Sequence, residues 1–171
     1  MAGVKEDEVY VVPTPEGDPG WGVAGVFLRD TVYFDKWNWE LGGAQRLSRG
    51  GTRNRWQEFH ALTAADRSQA VGLRRQVVVD AGGFRDSWVL TNTSPDTHEV
   101  RLHLVVRPRL VDLFAARLDS AVQPVIEQAR LSGTVQTYRR TADDGVVHAA
   151  TLSCADGLPD DFSWTISLAS G

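Results

Sequence analysis

Cysteine is almost absent from this chain of 171 residues, in which Cys154 stands alone. A disulfide within the chain is therefore excluded, and so is a metal site built from cysteine ligands. No apolar run approaches the roughly 18 residues of a membrane span, and the acidic N-terminus lacks an apolar stretch of signal-peptide length. We therefore expect a cytoplasmic protein that has no membrane partner.

Positive charge is also sparse. The net charge is −4, and no run of Lys or Arg is longer than two residues. Nucleic-acid-binding proteins usually carry a basic patch or stripe, so we expect no nucleic-acid partner. Apolar residues make up 42% and charged residues 23%, which is ordinary for a globular protein, and the length suits one domain over residues 1–171.

The sequence lacks the familiar motifs of catalysis and cofactor binding. Its histidines are His60, His98, His103 and His148, and no two of them are spaced as i, i+2 or i, i+4. A zinc site is therefore not expected. There is no Gly-x-Ser-x-Gly nucleophile elbow, no phosphate-binding P-loop and no dinucleotide-binding glycine fingerprint. We accordingly expect no metal and no cofactor.

What the sequence does contain is alternation of apolar and polar residues, the period of half-buried strands. Residues 100–106 form one such row, and a second row over residues 71–79 is interrupted by Arg75. Turn signals separate the rows, among them Gly50-Gly51 and Asp144-Gly145, the second of which predicts a hairpin. These patterns predict nine or ten strands, at roughly 8–13, 22–29, 31–41, 53–63, 70–80, 84–92, 97–107, 133–141, 145–154 and 161–169.

Residues 110–131 break this pattern. They contain good helix formers and show no period of two, while Pro124 prevents one continuous helix. We expect an irregular crossover with at most short helical turns. The many short strands around it are typical of an all-β antiparallel sandwich or barrel.

Four aspartates stand out because apolar residues surround them. They are Asp30, Asp35, Asp86 and Asp112. A glycosidase needs two carboxylates held roughly 5 to 10 Å apart across the bond that it cuts. The alternative is that each caps a turn or pairs with a neighbouring arginine, and we favour it because such carboxylates are common outside active sites.

Tryptophan is abundant, with six residues in the chain. Exposed indole rings stack on sugar rings, whereas large aromatic side chains also fill sandwich cores. Trp37 and Trp39 share one face of a predicted strand with Tyr33 and Leu41, and this arrangement favours the core. Trp56 precedes polar Gln57 and Glu58, so we expect it to be the exposed one.

One segment of the chain resembles a known domain family. Residues 25–31 read Gly-Val-Phe-Leu-Arg-Asp-Thr, and residues 32–41 continue as Val-Tyr-Phe-Asp-Lys-Trp-Asn-Trp-Glu-Leu. Together they resemble the opening of the N-terminal domain of glycogen debranching enzymes (amylo-α-1,6-glucosidases). Further similar segments follow in the family's order at Leu73–Val77, Leu90–Asn92, Val111–Phe114 with Arg117, Tyr138–Arg140 with Asp144-Gly145, and Phe162–Leu168.

The resemblance implies an antiparallel supersandwich of the galactose-mutarotase type. In the family the acidic catalytic pair belongs to a following α/α barrel, for which no residues remain here, so the resemblance implies that this chain has no catalytic residues. We then expect an accessory domain of a glycoside hydrolase in carbohydrate metabolism. It would pack against the catalytic α/α-barrel domain and help to shape the cleft for an α-glucan or another oligosaccharide.

Two alternatives stay open. One is a stand-alone carbohydrate-binding module, and the other is a structural sandwich that forms homo-oligomers without a ligand. Candidate binding residues are Arg29, Asp30, Trp56 and Asp112. The Arg29-Asp30 turn would lie at a boundary with a partner, against the simpler reading that it is a buried ion pair or a turn cap.

Overall fold

The computed structural model describes residues 4–6, 9–12, 25–63, 69–80, 82–118 and 124–170. Within these ranges the chain forms thirteen strands and one short helix. The elements are β1 (Val4–Glu6), β2 (Val9–Val12), β3 (Gly25–Leu28), β4 (Thr31–Glu40), β5 (Gln45–Gly51), β6 (Arg55–Thr63), β7 (Gln69–Asp80), β8 (Gly83–Asn92), β9 (His98–Asp112), α1 (Leu113–Leu118), β10 (Glu127–Ser132), β11 (Val135–Thr141), β12 (Val147–Ser153) and β13 (Ser163–Leu168).

The strands form three antiparallel sheets. A six-stranded sheet has the order β1-β2-β3-β4-β9-β13, a four-stranded sheet has the order β5-β6-β7-β8, and a three-stranded sheet has the order β10-β11-β12. The two smaller sheets are meanders of consecutive strands. In the largest sheet, β4 pairs with β9 although β5 to β8 intervene in the chain. Those intervening strands therefore form a separate layer.

The hydrophobic core lies between the six-stranded and four-stranded sheets. Val71 and Leu73 of β7 pack in one cluster with Val100 and Leu102 of β9, and each of these side chains is buried. A second cluster joins the same two sheets and takes in Tyr138 of the three-stranded sheet. Alternation along each strand thus fills the interior from opposite layers, as in a β-sandwich.

Two bulges in β4 redirect its side chains. The pairing with β9 shifts between Val32 and Phe34 and again between Phe34 and Lys36. Val32 therefore packs in a small cluster with Phe27, whereas the Phe34 ring lies 5.5 Å from the Trp37 ring in the main core. A bulge adds one residue to a strand, so side chains three positions apart come to the same face.

The structure confirms an all-β antiparallel sandwich and most of the expected strands. The hairpin at Asp144-Gly145 is also confirmed, because β11 and β12 pair on either side of it and Gly145 has a φ of 82°. The starts of the strands expected at 8–13 and 22–29 lie outside the described residues.

Other expectations were wrong. Gly50-Gly51 ends strand β5 instead of forming a turn, and both β5 and the short β1 were not predicted. The stretch 110–131 is also less irregular than expected, because β9 runs to Asp112 and β10 occupies Glu127–Ser132. Every residue of β5 and of β10 is exposed, so neither strand has a buried face to generate a period of two.

Candidate functional site

Charged side chains cross the inner face of the four-stranded sheet in a row of alternating sign. The row consists of Arg49 of β5, Glu58 of β6, Arg75 of β7 and Asp86 of β8, and we call it the charged row. Strand register places Arg49 opposite Glu58 and Glu58 opposite Arg75. Asp86 lies opposite Val77, one inward-facing position from Arg75. Glu58, Arg75 and Asp86 occupy inward-facing positions that would otherwise carry apolar core residues, whereas Arg49 lies on the exposed edge strand.

Asp86 is the most heavily engaged member of the charged row. Its carboxylate accepts two hydrogen bonds from Arg75, at 2.9 Å from Nε and 2.6 Å from Nη2. Its Oδ2 also accepts hydrogen bonds from the indole nitrogens of Trp37 at 3.0 Å and Trp39 at 2.8 Å. The side chain of Asp86 is 3% exposed. A single carboxylate thus joins β7 and β8 of one sheet to β4 of the other.

Arg75 is buried between two carboxylates. Burial by itself lowers the pKa of its guanidinium, but the negative charges and hydrogen bonds of Asp86 and Glu58 outweigh that effect and raise the pKa above its ordinary value. The bidentate contact with Asp86 is the strong geometry for an arginine and a carboxylate. Arg75 therefore stays charged inside the core.

Glu58 takes part in a looser group of contacts at the other end of the row. Burial raises the pKa of this carboxyl. The hydrogen bond with His60 and the charges of Arg75 and Arg49 lower the pKa by more, so it lies below the ordinary 4.5. The distances are 3.4 Å to His60 Nε2, 3.4 Å to Arg75 Nη1 and 3.3 Å to Arg49 Nε. Glu58 is therefore ionised at neutral pH.

Trp56 is buried, so the expectation that it is exposed was wrong. It is 5% exposed and faces Val77 across the β6–β7 pair. Its ring lies between two guanidinium groups, 4.3 Å from that of Arg49 and 4.7 Å from that of Arg75. The polar neighbour Glu58 misled the sequence argument, because Glu58 itself points into the sandwich.

A groove of about 1290 Å³ opens where the three sheets approach one another. Its lining comes from β4, β8, β9, β12, β13, the turn between β7 and β8, and the loop between β12 and β13. Four of the six tryptophans line it, namely Trp37, Trp39, Trp88 and Trp164, together with the carboxylate of Asp86. We call this the tryptophan groove. Trp39 is central to it, with ring centroids 5.8 Å from Trp88 and 5.6 Å from Trp164.

Three of the expected binding residues, Arg29, Asp30 and Asp112, lie together where β4 begins and β9 ends in the six-stranded sheet. Arg29 and Asp30 form the turn between β3 and β4, and register places Thr31 beside Asp112. Both turn side chains are exposed, so the reading of a buried ion pair was wrong. The turn is held through its backbone, since Tyr10 donates to the Arg29 carbonyl at 2.5 Å. A role for these residues in ligand binding stays a prediction.

Three of the four aspartates singled out by the sequence have the roles of the simpler alternative. Asp35 lies 2.6 Å from Arg107 Nε and 3.3 Å from Arg109 Nε. Asp112 accepts a hydrogen bond from the backbone of Phe114 at 2.7 Å, which caps the start of α1. Asp86 pairs with Arg75 as described above. Sequence reasoning did not bring Glu58 and Asp86 together, although Arg75 interrupting an apolar row was the available signal.

No metal-binding group of three or more His, Cys, Asp or Glu side chains occurs among the described residues. Nor does the described part of the chain include a helix with the length and apolar character that a membrane span requires.

Comparison with known proteins gives one family. A family model described as the N-terminal domain of some glycogen debranching enzymes matches residues 4–171. No curated protein matches the chain. The match takes in the sandwich, the charged row and the tryptophan groove.

Proposed function

Because the chain belongs to the family of N-terminal domains of some glycogen debranching enzymes, we propose that it is a non-catalytic domain that packs against a catalytic α/α-barrel domain. In that position it helps to shape the cleft in which an α-glucan is hydrolysed. The observation that carries this proposal is the extent of the family match, which covers residues 4–171 and so every described strand. The cytoplasmic location expected from the sequence is part of the same proposal.

The state of the carboxylates supports a non-catalytic role. Glycoside hydrolysis needs one carboxyl to act as an acid and a second to act as a nucleophile or base, both facing the sugar. Asp86 and Glu58 instead face arginines inside the sandwich, and Asp35 pairs with Arg107. These groups hold strands together, so the proposal assigns the acidic pair to the partner domain.

A surface on the outer face of the four-stranded sheet supports packing against a partner. Leu47, Phe59 and Val89 are 61%, 42% and 47% exposed, and we call them the outer-face patch. Register places Phe59 and Val89 on either side of Arg74, while Leu47 lies at the β5 bulge beside Phe59. Large apolar side chains grouped on one face of a sheet are typical of a surface that another domain covers.

The test is association with the separately expressed catalytic domain of a glycogen debranching enzyme from the same genome. We expect a one-to-one complex by analytical ultracentrifugation, and we expect Phe59→Glu to weaken it by at least about tenfold. Thr137→Glu is a matched control, because Thr137 is a half-buried residue of β11 in a different sheet. An absence of association, with glucan hydrolysis by that catalytic domain unaffected by the chain, would overturn the proposal.

A further inference from the structure

We infer that the tryptophan groove receives one extended polypeptide segment of a partner, which adds to the edge of β13 as a further strand. The segment is uncharged and carries apolar side chains at alternate positions. The edge that receives it belongs to this chain alone, whereas the assignment of the segment to the catalytic domain rests on the proposed function.

The sheet edges of the described strands differ in their protection against pairing. Proteins shield edge strands by keeping them short, by inward-pointing charges or by bulges. Four edges have such protection: β1 has only three residues, β5 and β10 each have a bulge, and β8 points the charge of Asp86 inward. β12 and β13 keep one register with their neighbours and contain no Pro, Asp, Glu, Lys or Arg. Both of them line the tryptophan groove.

The direction of the backbone groups of β13 follows from its pairing with β9. The amide of Leu104 donates to the carbonyl of Phe162 at 3.0 Å, and hydrogen-bonded positions alternate along an antiparallel ladder. Trp164 and Ile166 therefore bond to β9, whereas the N–H and C=O of Thr165 point away from it. In the described part of the chain, β13 pairs with β9 and lies at the end of its sheet. Thr165 thus offers one donor and one acceptor to an added strand.

The core is incompletely covered along this side of the sandwich. Ile166 of β13 and Leu90 of β8 pack against a core cluster but are only partly buried. Their register partners one strand further in, Val100 of β9 and Leu73 of β7, are each 1% exposed. A strand added beside β13, with apolar residues at every second position, would cover both half-buried rows.

The surroundings of the groove favour a single segment over a second copy of this chain. β8, β12 and β13 each end a different sheet, and all three line the groove. The edge of another sheet brings a neighbouring strand with it, which would meet β8 or β12, whereas one extended chain brings none. The carboxylate of Asp86 is already engaged by Arg75 and two indoles. A charge on the segment would therefore be buried without a partner.

The catalytic domain of the proposed function is the expected source of the segment. β8 exposes Val89 of the outer-face patch on one face and directs Leu90 toward the groove on the other. The patch and the groove therefore share one edge strand, and a domain that covers the patch lies within reach of the groove.

A synthetic peptide tests the edge without the catalytic domain. The probe is Lys-Val-Thr-Val-Thr-Val-Thr-Lys with blocked ends and a lysine at each end for solubility. The control peptide has the same side chains but carries N-methyl groups on its valines and threonines. We expect saturable binding of the probe by tryptophan fluorescence and none of the control, because added strands bind through main-chain hydrogen bonds.

Two variants of one residue isolate the outward donor of β13. Thr165→Pro removes this N–H without removing a hydrogen bond to β9, which is the setting in which an edge strand tolerates proline. It should weaken binding of the probe by about tenfold. Thr165→Val is the matched control, since it keeps the N–H, and its affinity should equal that of the wild type.

Hydrogen exchange of the full chain gives a readout that needs no variant. Both with the probe and in the complex with the catalytic domain, the amide of Thr165 should exchange at least about tenfold more slowly. The amides of Trp164 and Ile166 already bond to β9 and should change little. The inference is overturned by no saturable binding of the probe, by equal binding of the N-methylated control, or by a folded Thr165→Pro chain with unchanged affinity.

The two proposals fail separately. A complex with the catalytic domain in which Thr165 exchanges as fast as in the isolated chain retains the proposed function and overturns this inference. Binding of the probe with slowed exchange at Thr165, but no association with the catalytic domain, keeps the strand-addition site and loses the proposed packing role.

Discussion

Both faces of the four-stranded sheet carry side chains that depart from the usual distribution. The inner face buries Glu58, Arg75 and Asp86, whereas the outer face exposes Phe59 and Val89. A sheet packed on one side normally buries apolar residues and exposes polar ones. These exceptions show that hydrophobic burial alone does not decide every position of the sheet.

The two faces differ in what they need from their surroundings. On the inner face, the carboxylate of Asp86 is fully engaged, since one arginine and two indoles donate to it. A buried ion pair is seldom more stabilising than apolar residues of the same shape, but losing one partner is costly. The apolar side chains of the outer face are exposed, and burying them would lower the free energy only if another surface covered them.

The largest expected effect is on the inner face. Asp86→Ala removes the partner of Arg75 and the acceptor of two indole N–H groups, so we expect a loss of about 3–5 kcal/mol in the free energy of unfolding. Urea denaturation followed by tryptophan fluorescence measures it. Asp160→Ala is the control, because this carboxylate pairs with Arg130 while 95% exposed and its loss should be too small to measure reliably.

A double variant tests whether the charges act as a unit. Arg75→Met alone leaves two carboxylates without their shared cation, and Asp86→Leu alone leaves the cation without its closest anion. We expect the double variant to lose less stability than the sum of the two single losses, with a coupling energy of about 0.5–3 kcal/mol. Strict additivity in urea denaturation would show that the charged row is not a unit.

Acid should weaken the inner face through Glu58. The pKa of Glu58 in the folded chain lies below the ordinary 4.5, so the folded state favours its ionised form. Its contribution to stability is therefore present above pH 4.5 and is lost as the pH falls through the folded pKa. Thermal melts between pH 7 and pH 3 should show a smaller acid loss for Glu58→Gln than for the wild type. Parallel pH curves would contradict this.

The smallest effect belongs to the outer face. Phe59→Thr replaces an exposed ring with a β-branched residue that suits a strand, so we expect a change within about 0.5 kcal/mol in the isolated chain. The same change should become clearly destabilising to the complex with the catalytic domain. A large loss in the isolated chain would mean that Phe59 already packs within the domain.

Much of the fold follows from alternation, and the exceptions have physical causes. Strands β7 and β9 bury one face and β13 half-buries one, so their sequences carry a clear period of two. Strands β5 and β10 are exposed along their whole length. A period cannot be read where no face is buried.

The candidate site was less accessible to sequence reasoning. Arg75 and Asp86 were visible as charges among apolar residues, but their pairing depends on the register of β7 with β8. Trp56 was placed on the surface because its neighbours are polar, yet Glu58 shares its inward face. The tryptophan groove brings β4 together with β13, which no local pattern reveals.

The pairing of β4 with β9 also sets the order in which the strands pair during folding. The whole four-stranded meander lies in the chain between these two neighbours. Hairpins of consecutive strands close short loops and form early, whereas a pairing across such a long insertion forms slowly. During synthesis, β4 and its tryptophans therefore cannot pair with β9 until β9 has emerged from the ribosome. In pulsed hydrogen exchange we expect amides of β6 to β8 to gain protection before those of β4 and β9.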